Sequence, residues 1–513
     1  ARRHYDHNGN QAATFEVGSC NRCGEVFVVG VEKDGFLIHP PDVGDEFDDK
    51  LSWFTISENQ TEETTNEDDE VEWADEKGGR DKSLNLTPML LCRTCGRIGG
   101  RRSFAQSGCK SHAPDPVSVT KVGNKRYRNV PRGCPSCGNF YGTVTSRALT
   151  GKEAPIAVLG TALYQHIPPS LDEDDEFAPG GGRKLIVFSD SRQDAAFFAP
   201  FFDNTYAKLK QRRYLFKALR ETGNYIGLEK WAKRVQRVAK AANEWDEDTP
   251  EDQMAEDAGS WVLREWTSFD RRVALEGTGA IRFRLRRPQG FSGIPCLGES
   301  PWSLDVEGQW EMVQVLCDTL RLQAVVSFSQ RNDAFEDVEH KNAVFAPRNR
   351  PFFVRGSSSV PKYGIYAWAP ENGQTNKRLD YLIRVLQRRG VSEELREPTA
   401  RKALTTIWEA FQHRNSPLSK LLERNLTHRR QGNLRRLLPD SWEVCAAGEA
   451  DVLRCQTCGT TSSAAVDGVC TMSRCRGVVS EFDPETRVRN HYHHLYTSMA
   501  PIPISCTPWR PSV

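Results

Sequence analysis

Apolar positions along this chain come in short blocks, and the changes in their period divide it. Residues 1–140 hold brief apolar runs, such as Val26 to Val29, between polar turns. Ile156, Leu159, Leu163 and Tyr164 fall at helical spacing and predict one amphipathic helix within 141–170, ended by Pro168-Pro169. Leu185 to Phe188 is too short an apolar run for a helix and predicts a buried strand. Ser189-Asp190-Ser191 follow it, and Ala195, Ala196, Phe198 and Phe202 resume helical spacing, with Asp190 or Ser191 as the cap. Strand, polar turn and helix in that order open a parallel α/β layer.

Between 207 and 445 the period is mostly helical. Tyr206, Leu209, Tyr214, Leu215 and Leu219 begin it, Trp231, Val235 and Val238 continue it, and the acidic run Asp246 to Asp257 breaks it. Trp261, Leu263 and Trp266, then Trp310, Val313, Val315, Leu316 and Leu320, predict further helices. More are expected at 378–386 and 403–411, with a basic helix at 424–436. The stretch KYGIYAWAP, Lys362 to Pro370, predicts a β-segment. Such stripes of Trp and Leu read as core.

At 513 residues the chain is too long for one core and suggests about three domains. It opens on Ala1 rather than Met and is expected to be a piece of a longer or processed polypeptide. No apolar run approaches the roughly 18–20 residues that span a bilayer, so no membrane partner is expected. The net charge of +1 conceals two opposite fields. Asp42 to Glu76 holds fifteen acidic residues against one Lys, whereas Arg97 to Arg132 holds nine Lys and Arg against Asp115. Residues 41–82 therefore read as a mobile acidic loop. Either it is a plain solvated insertion, or it mimics a phosphate backbone over the basic stretch, in which case deleting 42–76 raises DNA affinity. Lys125, Arg126 and Arg128, with Tyr127 among them, suit phosphate contact and base stacking, or else answer the acidic loop.

Ten of the fifteen Cys sit in five close pairs, a usage that favours metal in a reducing cytoplasm over a disulfide framework. Cys455-x2-Cys458-x11-Cys470-x4-Cys475 has zinc-ribbon spacing, with Gly459 and Gly477 beside the knuckles. Four thiolates leave no open position, so Zn2+ there is structural. Cys20, Cys23, Cys92, Cys95, Cys109, His112, Cys134 and Cys137 supply eight ligands, enough for two more sites. The preferred pairing joins Cys20/Cys23 to Cys134/Cys137 and Cys92/Cys95 to Cys109/His112, although spacing alone leaves it open. His491, His493 and His494 are equally readable as ligands or as packing at an element junction. Cys296, Cys317, Cys445 and Cys506 read as ordinary thiols.

The wording of Arg183 to Tyr206, KLIVFSDSRQDAAFFAPFF within it, resembles the start of the second RecA-like domain in large bacterial DEAD/DEAH-box helicases of superfamily 2. The subgroup with Cys-rich zinc modules and a helical insertion includes DNA-repair and antiphage-defence helicases. Arg378-Leu379-Asp380-Tyr381-Leu382, the CQTC pair at Cys455 and Cys458, and Asn490-His491-Tyr492 before Leu495-Tyr496 are similar to that family in the same order. The implied fold is mixed α/β and multidomain: a partial RecA-like domain (strand–helix), a large mostly helical insertion and zinc-ribbon-type modules. The expected division is 1–140 zinc module, 141–182 helix and linker, 183–206 RecA-like start, 207–445 helical insertion, 446–480 zinc ribbon and 481–513 return segment.

The resemblance implies that Ser189, Ser191 and Arg192 lie where such motors touch the nucleic-acid backbone. It also implies DNA, the remaining helicase segments and other defence-system subunits as partners. No Walker loop and no DExx box after a strand occur in the sequence, so ATP and Mg2+ are expected only in the complete helicase, and no catalytic residue is assigned. The alternative is a zinc-stabilised scaffold for a protein partner.

Overall fold

The computed structural model describes residues 2–5, 11–20, 25–39, 51–56, 84–102, 104, 109, 115–124, 131, 133–135, 145–147, 153–172, 178, 180–186, 192–220, 222–268, 273–327, 352–357, 365–371, 373–423, 426–428, 432–448, 452–473, 475–498 and 500–503.

A hairpin of β1 (Arg2–Tyr5) and β2 (Gln11–Thr14) precedes an antiparallel sheet. That sheet is built from β3 (Glu16–Cys20), β4 (Val26–Lys33), β5 (Phe36–Ile38), β6 (Leu51–Thr55), β7 (Leu84–Cys92), β8 (Ile98–Gly99), β9 (Pro116–Asn124) and β10 (Thr145–Arg147). Its order is β10-β3-β4-β6-β9-β7-β8, with β5 also on β4. Side chains alternate between faces along a strand, and here both faces are apolar. Phe27, Val29, Leu51, Trp53 and Val122 pack in one group, and Val28, Leu37, Phe54, Leu91, Ile98 and Val119 in another.

Two expectations change as a result. Leu51–Thr55 is a central strand and not part of a loop, because LSWFT fills both faces between β4 and β9. The acidic average of 41–82 hides it. A deletion meant to test the acidic segment must therefore begin after Ile56; the rest of that stretch lies outside the described residues. The sheet also continues past the expected boundary at 140, since Thr145–Arg147 pairs with Gly18–Cys20.

The first helix, α1 (Glu153–His166), forms as expected, but two leucines of its stripe do not enter a core. Leu159 and Leu163 are 62% and 58% exposed, while Tyr164 is buried and donates its hydroxyl to the Pro503 carbonyl. That bond, with the edge contact between Tyr164 and Tyr206, decides which face turns inward. The strand expected at Leu185–Phe188 is absent over its described half: Leu185 and Ile186 stand outside any sheet, with Ile186 73% exposed. A strand needs a neighbour for its backbone N–H and C=O groups, and no described strand lies beside this one. The helix expected after it is present as α2 (Arg192–Arg220); Ser189 and Ser191 fall outside the described residues.

Beyond α2 come β11 (Ile226–Gly227), α3 (Leu228–Lys240), α4 (Glu251–Trp266), β12 (Ile281–Leu285) and α5 (Val306–Leu322). The acidic run thus ends inside α4, where Glu251 and Asp252 complement the positive helix N-terminus. Asp305 caps α5 by accepting from the Gly308 amide, a contact worth about 1 kcal/mol. Next are β13 (Phe353–Arg355) paired in parallel with β14 (Ile365–Ala367), then α6 (Lys377–Arg388) and α7 (Glu393–Gln412).

Residues 424–436 do not form the basic helix expected of them. They hold a hairpin of β15 (Leu426–His428) and β16 (Gly432–Leu434). The Arg435 amide donates to the Val354 carbonyl and the Val354 amide to the Arg435 carbonyl, each at 2.9 Å, so β13 draws this segment into a ladder a helix could not supply.

Strand β17 (Trp442–Ala446) lies between β11 and β12 in a three-stranded antiparallel sheet. Around it the Trp and Leu stripes of α2 to α7 close one large core, including Trp231, Trp266, Trp302, Trp368 and Trp442. The chain then forms β18 (Leu453–Cys455), β19 (Thr461–Ser462) and β20 (Val479–Glu481), a small sheet in the order β19-β18-β20, and two short helices, α8 (Pro484–Arg489) and α9 (His491–Thr497). No helix among the described residues is long and apolar enough to cross a membrane.

Candidate metal centres

Cys455 ends β18, and the chain reverses at once: the Gly459 amide donates to the Cys455 carbonyl at 3.0 Å and the Cys455 amide to the Thr460 carbonyl at 2.9 Å. The reversal needs a residue in the left-handed region, and Gly459 supplies it at φ +70°. Cys458 sits inside that turn. The second knuckle brings Cys470 and Cys475 against it, so that all four sulfurs lie within 4.8 Å of one another. Cys455 Sγ is 3.7 Å from Cys475 Sγ, and Cys458 Sγ is 3.5 Å from Cys470 Sγ. Bonds of about 2.3 Å to a tetrahedral zinc give sulfur–sulfur edges of roughly 3.8 Å, whereas a disulfide needs about 2.05 Å. The geometry suits a metal ion such as zinc, and the four cysteines are free thiols.

Backbone donors complete the surroundings. The amides of Met472 and Gly477 point at Cys470 Sγ and Cys475 Sγ, both at 3.4 Å, which favours thiolate. At Cys458 the contact with Cys455 raises the thiol, but Cys470 and Cys475 outweigh it and bring it to about 7, while contacts with Cys455 and Cys458 push Cys470 and Cys475 up. Four crowded thiols cannot all ionise unless a cation takes up the charge. Gly477 is also required sterically, since a Cβ there would lie 2.5 Å from Cys455 Sγ.

Helix α6 fastens this cluster to the helical core. Arg384 donates from Nη1 to the carbonyls of Cys470 and Cys475 at 2.6 and 2.9 Å, and it pairs with Asp380 one turn back. The Val466 amide donates to the Tyr381 hydroxyl at 2.9 Å, and Arg389 grips Asp467 through two bonds. Of the segment Arg378 to Leu382, Asp380 and Tyr381 thus serve the ribbon; sequence reading linked the segment to a family but not to the metal. The Asp380–Arg384 spacing of four residues was the visible signal. Arg384→Ala should lower zinc affinity by about 10–100-fold, the usual cost of losing an outer-sphere partner, measured by competition with a chromogenic chelator. Unchanged affinity would make Arg384 a packing residue only.

The second cluster is at the edge of the N-terminal sheet. Cys92 ends β7 and Cys95 lies in the following turn, closed by the Gly96 amide on the Cys92 carbonyl, with Gly96 at φ +77°. Cys109 Sγ approaches Cys95 Sγ to 3.7 Å, and the three sulfurs form one group. Burial opposes ionisation of Cys92, but the amides of Asp115, Cys95 and Thr94 outweigh it and bring the thiol to about 7. Burial and the neighbouring sulfurs push Cys109 up to about 12. These three residues offer a metal ion three thiolates; His112, expected as the fourth ligand, lies outside the described residues. Cys20 and Cys134 are fully buried in one packed group, while Cys23 and Cys137, the other members of that expected pairing, are not described.

His491, His493 and His494 join neither cluster. They belong to α9, where Asn490 Oδ1 accepts from the Tyr492 and His493 amides; His493 Nδ1 meets the Thr278 carbonyl, so junction packing accounts for His493, while His491 and His494 are exposed. Cys317 and Cys445 are buried away from both clusters, and Cys296 is half-buried. Lys125, Arg126 and Arg128 are not described. Lys121 of the basic stretch pairs with Glu32 across the sheet, and Arg101 and Arg102 are exposed beside β8.

The chain is thus a mixed α/β multidomain protein with thiolate clusters suited to structural metal. Residues 1–149, which span the N-terminal sheet, match the model of a family described as the YjiV N-terminal domain. No curated protein and no solved structure matches the chain.

Proposed function

We propose that this chain is an accessory section of an ATP-dependent superfamily-2 DNA helicase, contributing zinc-stabilised modules that hold nucleic acid. One observation carries the nucleic-acid part: Arg101 and Arg102, which follow β8 and lie between Cys95 and Cys109 in the sequence, stand exposed and pair with no described acid. Exposed cations next to a metal-braced sheet edge suit a phosphate backbone. The motor part of the reading rests on the resemblance of Arg183 to Tyr206, supported by a long helix that begins at Arg192. The exposed apolar Ile186 fits a strand whose partners are supplied by other helicase segments. In the complete helicase, ATP and Mg2+ would drive strand separation, with Ser189, Ser191 and Arg192 near the backbone. A role in antiphage defence or DNA repair follows from the subgroup.

The zinc sites in this reading are braces. Their donor sets are thiolate-rich, and at Cys455–Cys475 four sulfurs close the shell and leave no place for substrate.

Leu159 and Leu163 favour a second reading, a scaffold for a protein partner, because they leave apolar surface on α1 uncovered. Salt separates the two. Binding through about six phosphate contacts should give a slope of log K against log salt near −4 on single strands, read by fluorescence anisotropy with labelled oligonucleotides. No binding at low salt, or binding indifferent to salt, would leave the scaffold.

A further inference from the structure

A second cationic feature lies far along the sequence from the zinc modules. Arg213, Lys217 and Arg220 recur at helical spacing on α2 and share one face. They form, with Phe216, one wall of a cleft of about 290 Å³. The other wall is Tyr496 to Ser498 with Ala500 and Pro501, where α9 ends and the chain turns away.

The two walls are held at a fixed distance. Arg213 is buried and donates to the Leu495 carbonyl at 2.8 Å and the Ala500 carbonyl at 3.4 Å, while the Tyr206 hydroxyl donates to the Ile502 carbonyl. Arg213 therefore turns carbonyls that would repel an anion onto a guanidinium. Acids nearby are committed elsewhere: Glu244 to Lys210 and Glu265 to Arg212. Lys217 and Arg220 remain exposed, with no ion pair among the described residues.

Basic residues in a last helical turn also complement the helix dipole. That accounts for their place on α2 but not for a formed cleft opposite them. The dipole amounts to about half a charge, whereas three cations converge here. Phe216 and the floor of Tyr496 add apolar surface suited to a sugar or base, and the volume admits a sugar-phosphate unit but not a folded partner.

We propose that this cleft binds a phosphate of a single-stranded nucleic acid, with Lys217 and Arg220 as the contacting cations and Arg213 as the residue that holds the walls together. The assignment rests on the nucleic-acid reading above and adds a site that reading does not contain.

The test is Lys217→Gln with Arg220→Gln in the full chain, both exposed positions, with unchanged circular dichroism and melting as the folding check. Binding of labelled oligo(dT) should weaken about tenfold at low salt, and the salt slope should fall by about 0.7, one phosphate's worth. The charge-keeping Lys217→Arg variant should bind like wild type. Wild-type binding that the double substitution leaves unchanged in affinity and slope overturns the cleft and spares the general reading. Absence of wild-type binding sinks both. If inorganic pyrophosphate binds wild type but not the variant, while oligo(dT) ignores the substitutions, the site serves a free polyphosphate and the strand proposal fails.

Discussion

Cys470→Ser should remove one zinc per chain and unfold residues 453–481 while the helical core keeps its structure. The large core and α6 hold Ala464 to Asp467 and Val469, but the sheet itself has little apolar packing of its own. Its packed group is Cys455, Cys470, Met472, Cys475 and Val479, three of them candidate ligands. Ordering a residue costs about 1–2 kcal/mol of backbone entropy, and so few apolar side chains cannot offset that over such a length. Structural zinc supplies about 10–16 kcal/mol in comparable peptides, enough to decide whether the fold forms. Zinc content by mass spectrometry and amide exchange across 453–481 read the two effects separately. Gly477→Ala tests the geometry with every thiol present, since its Cβ would meet Cys455 Sγ at 2.5 Å. It should weaken zinc binding in the same direction. Because thiols must lose their protons to bind metal, retention should also fall on acidification. If Cys470→Ser kept both its zinc and its exchange protection, the tetrathiolate site would be wrong.

How much of this was legible in the sequence depended on whether the signal was local. The ribbon was legible because a knuckle is a local device: two Cys, a tight turn and a Gly in the left-handed region, all within five residues, as at Cys455 to Gly459. Helices of the core were legible because Trp261 and Trp266, or Trp310 and Leu320, repeat at one period against one neighbour. The eight-stranded sheet was not. Phe27, Val28 and Val29 are buried on alternating faces, so the run lacks the polar alternation that marks a half-buried strand. Leu51–Thr55 was masked by acidic neighbours for the same lack of a signature. Residues 424–436 failed differently: their Arg and Leu suit a helix, but Leu426–His428 pairs with Gly432–Leu434, and Arg435 pairs with Val354 beyond it. Tertiary partners also decided α1, where Tyr164 packs against Tyr206 and bonds the Pro503 carbonyl while no described element covers Leu159 and Leu163.

Replacing Arg378 with Met should cost about 1.5–3 kcal/mol of stability, the range for buried hydrogen bonds made by a charged group. Arg378 is fully buried at the start of α6. It donates from Nε to the Trp368 carbonyl at 3.1 Å, from Nη2 to the Ala367 carbonyl at 2.8 Å, and from Nη1 to Thr319 Oγ1 and Gln323 Oε1 on the α5 side. One guanidinium thereby ties the end of β14 to the end of α5 and sets the direction in which α6 leaves. Asn376 shares the two carbonyls and caps α6, so the change strips one of two donors from each and does not orphan them. The loss therefore falls on Thr319, Gln323 and the vacated volume. Lys should not rescue it, because a single ammonium cannot span acceptors that a planar fork reaches together. Arg388→Met, exposed at the other end of the same helix, should stay within about 0.5 kcal/mol of wild type. Urea unfolding followed by tryptophan fluorescence gives both numbers. Since α6 also carries Tyr381 and Arg384, the destabilised variant should release zinc from Cys455–Cys475 more readily, though no ligand is touched. Equal stability of Arg378→Met and wild type would mean that the core is organised around something other than this helix, and the coupling from core to metal would lose its basis.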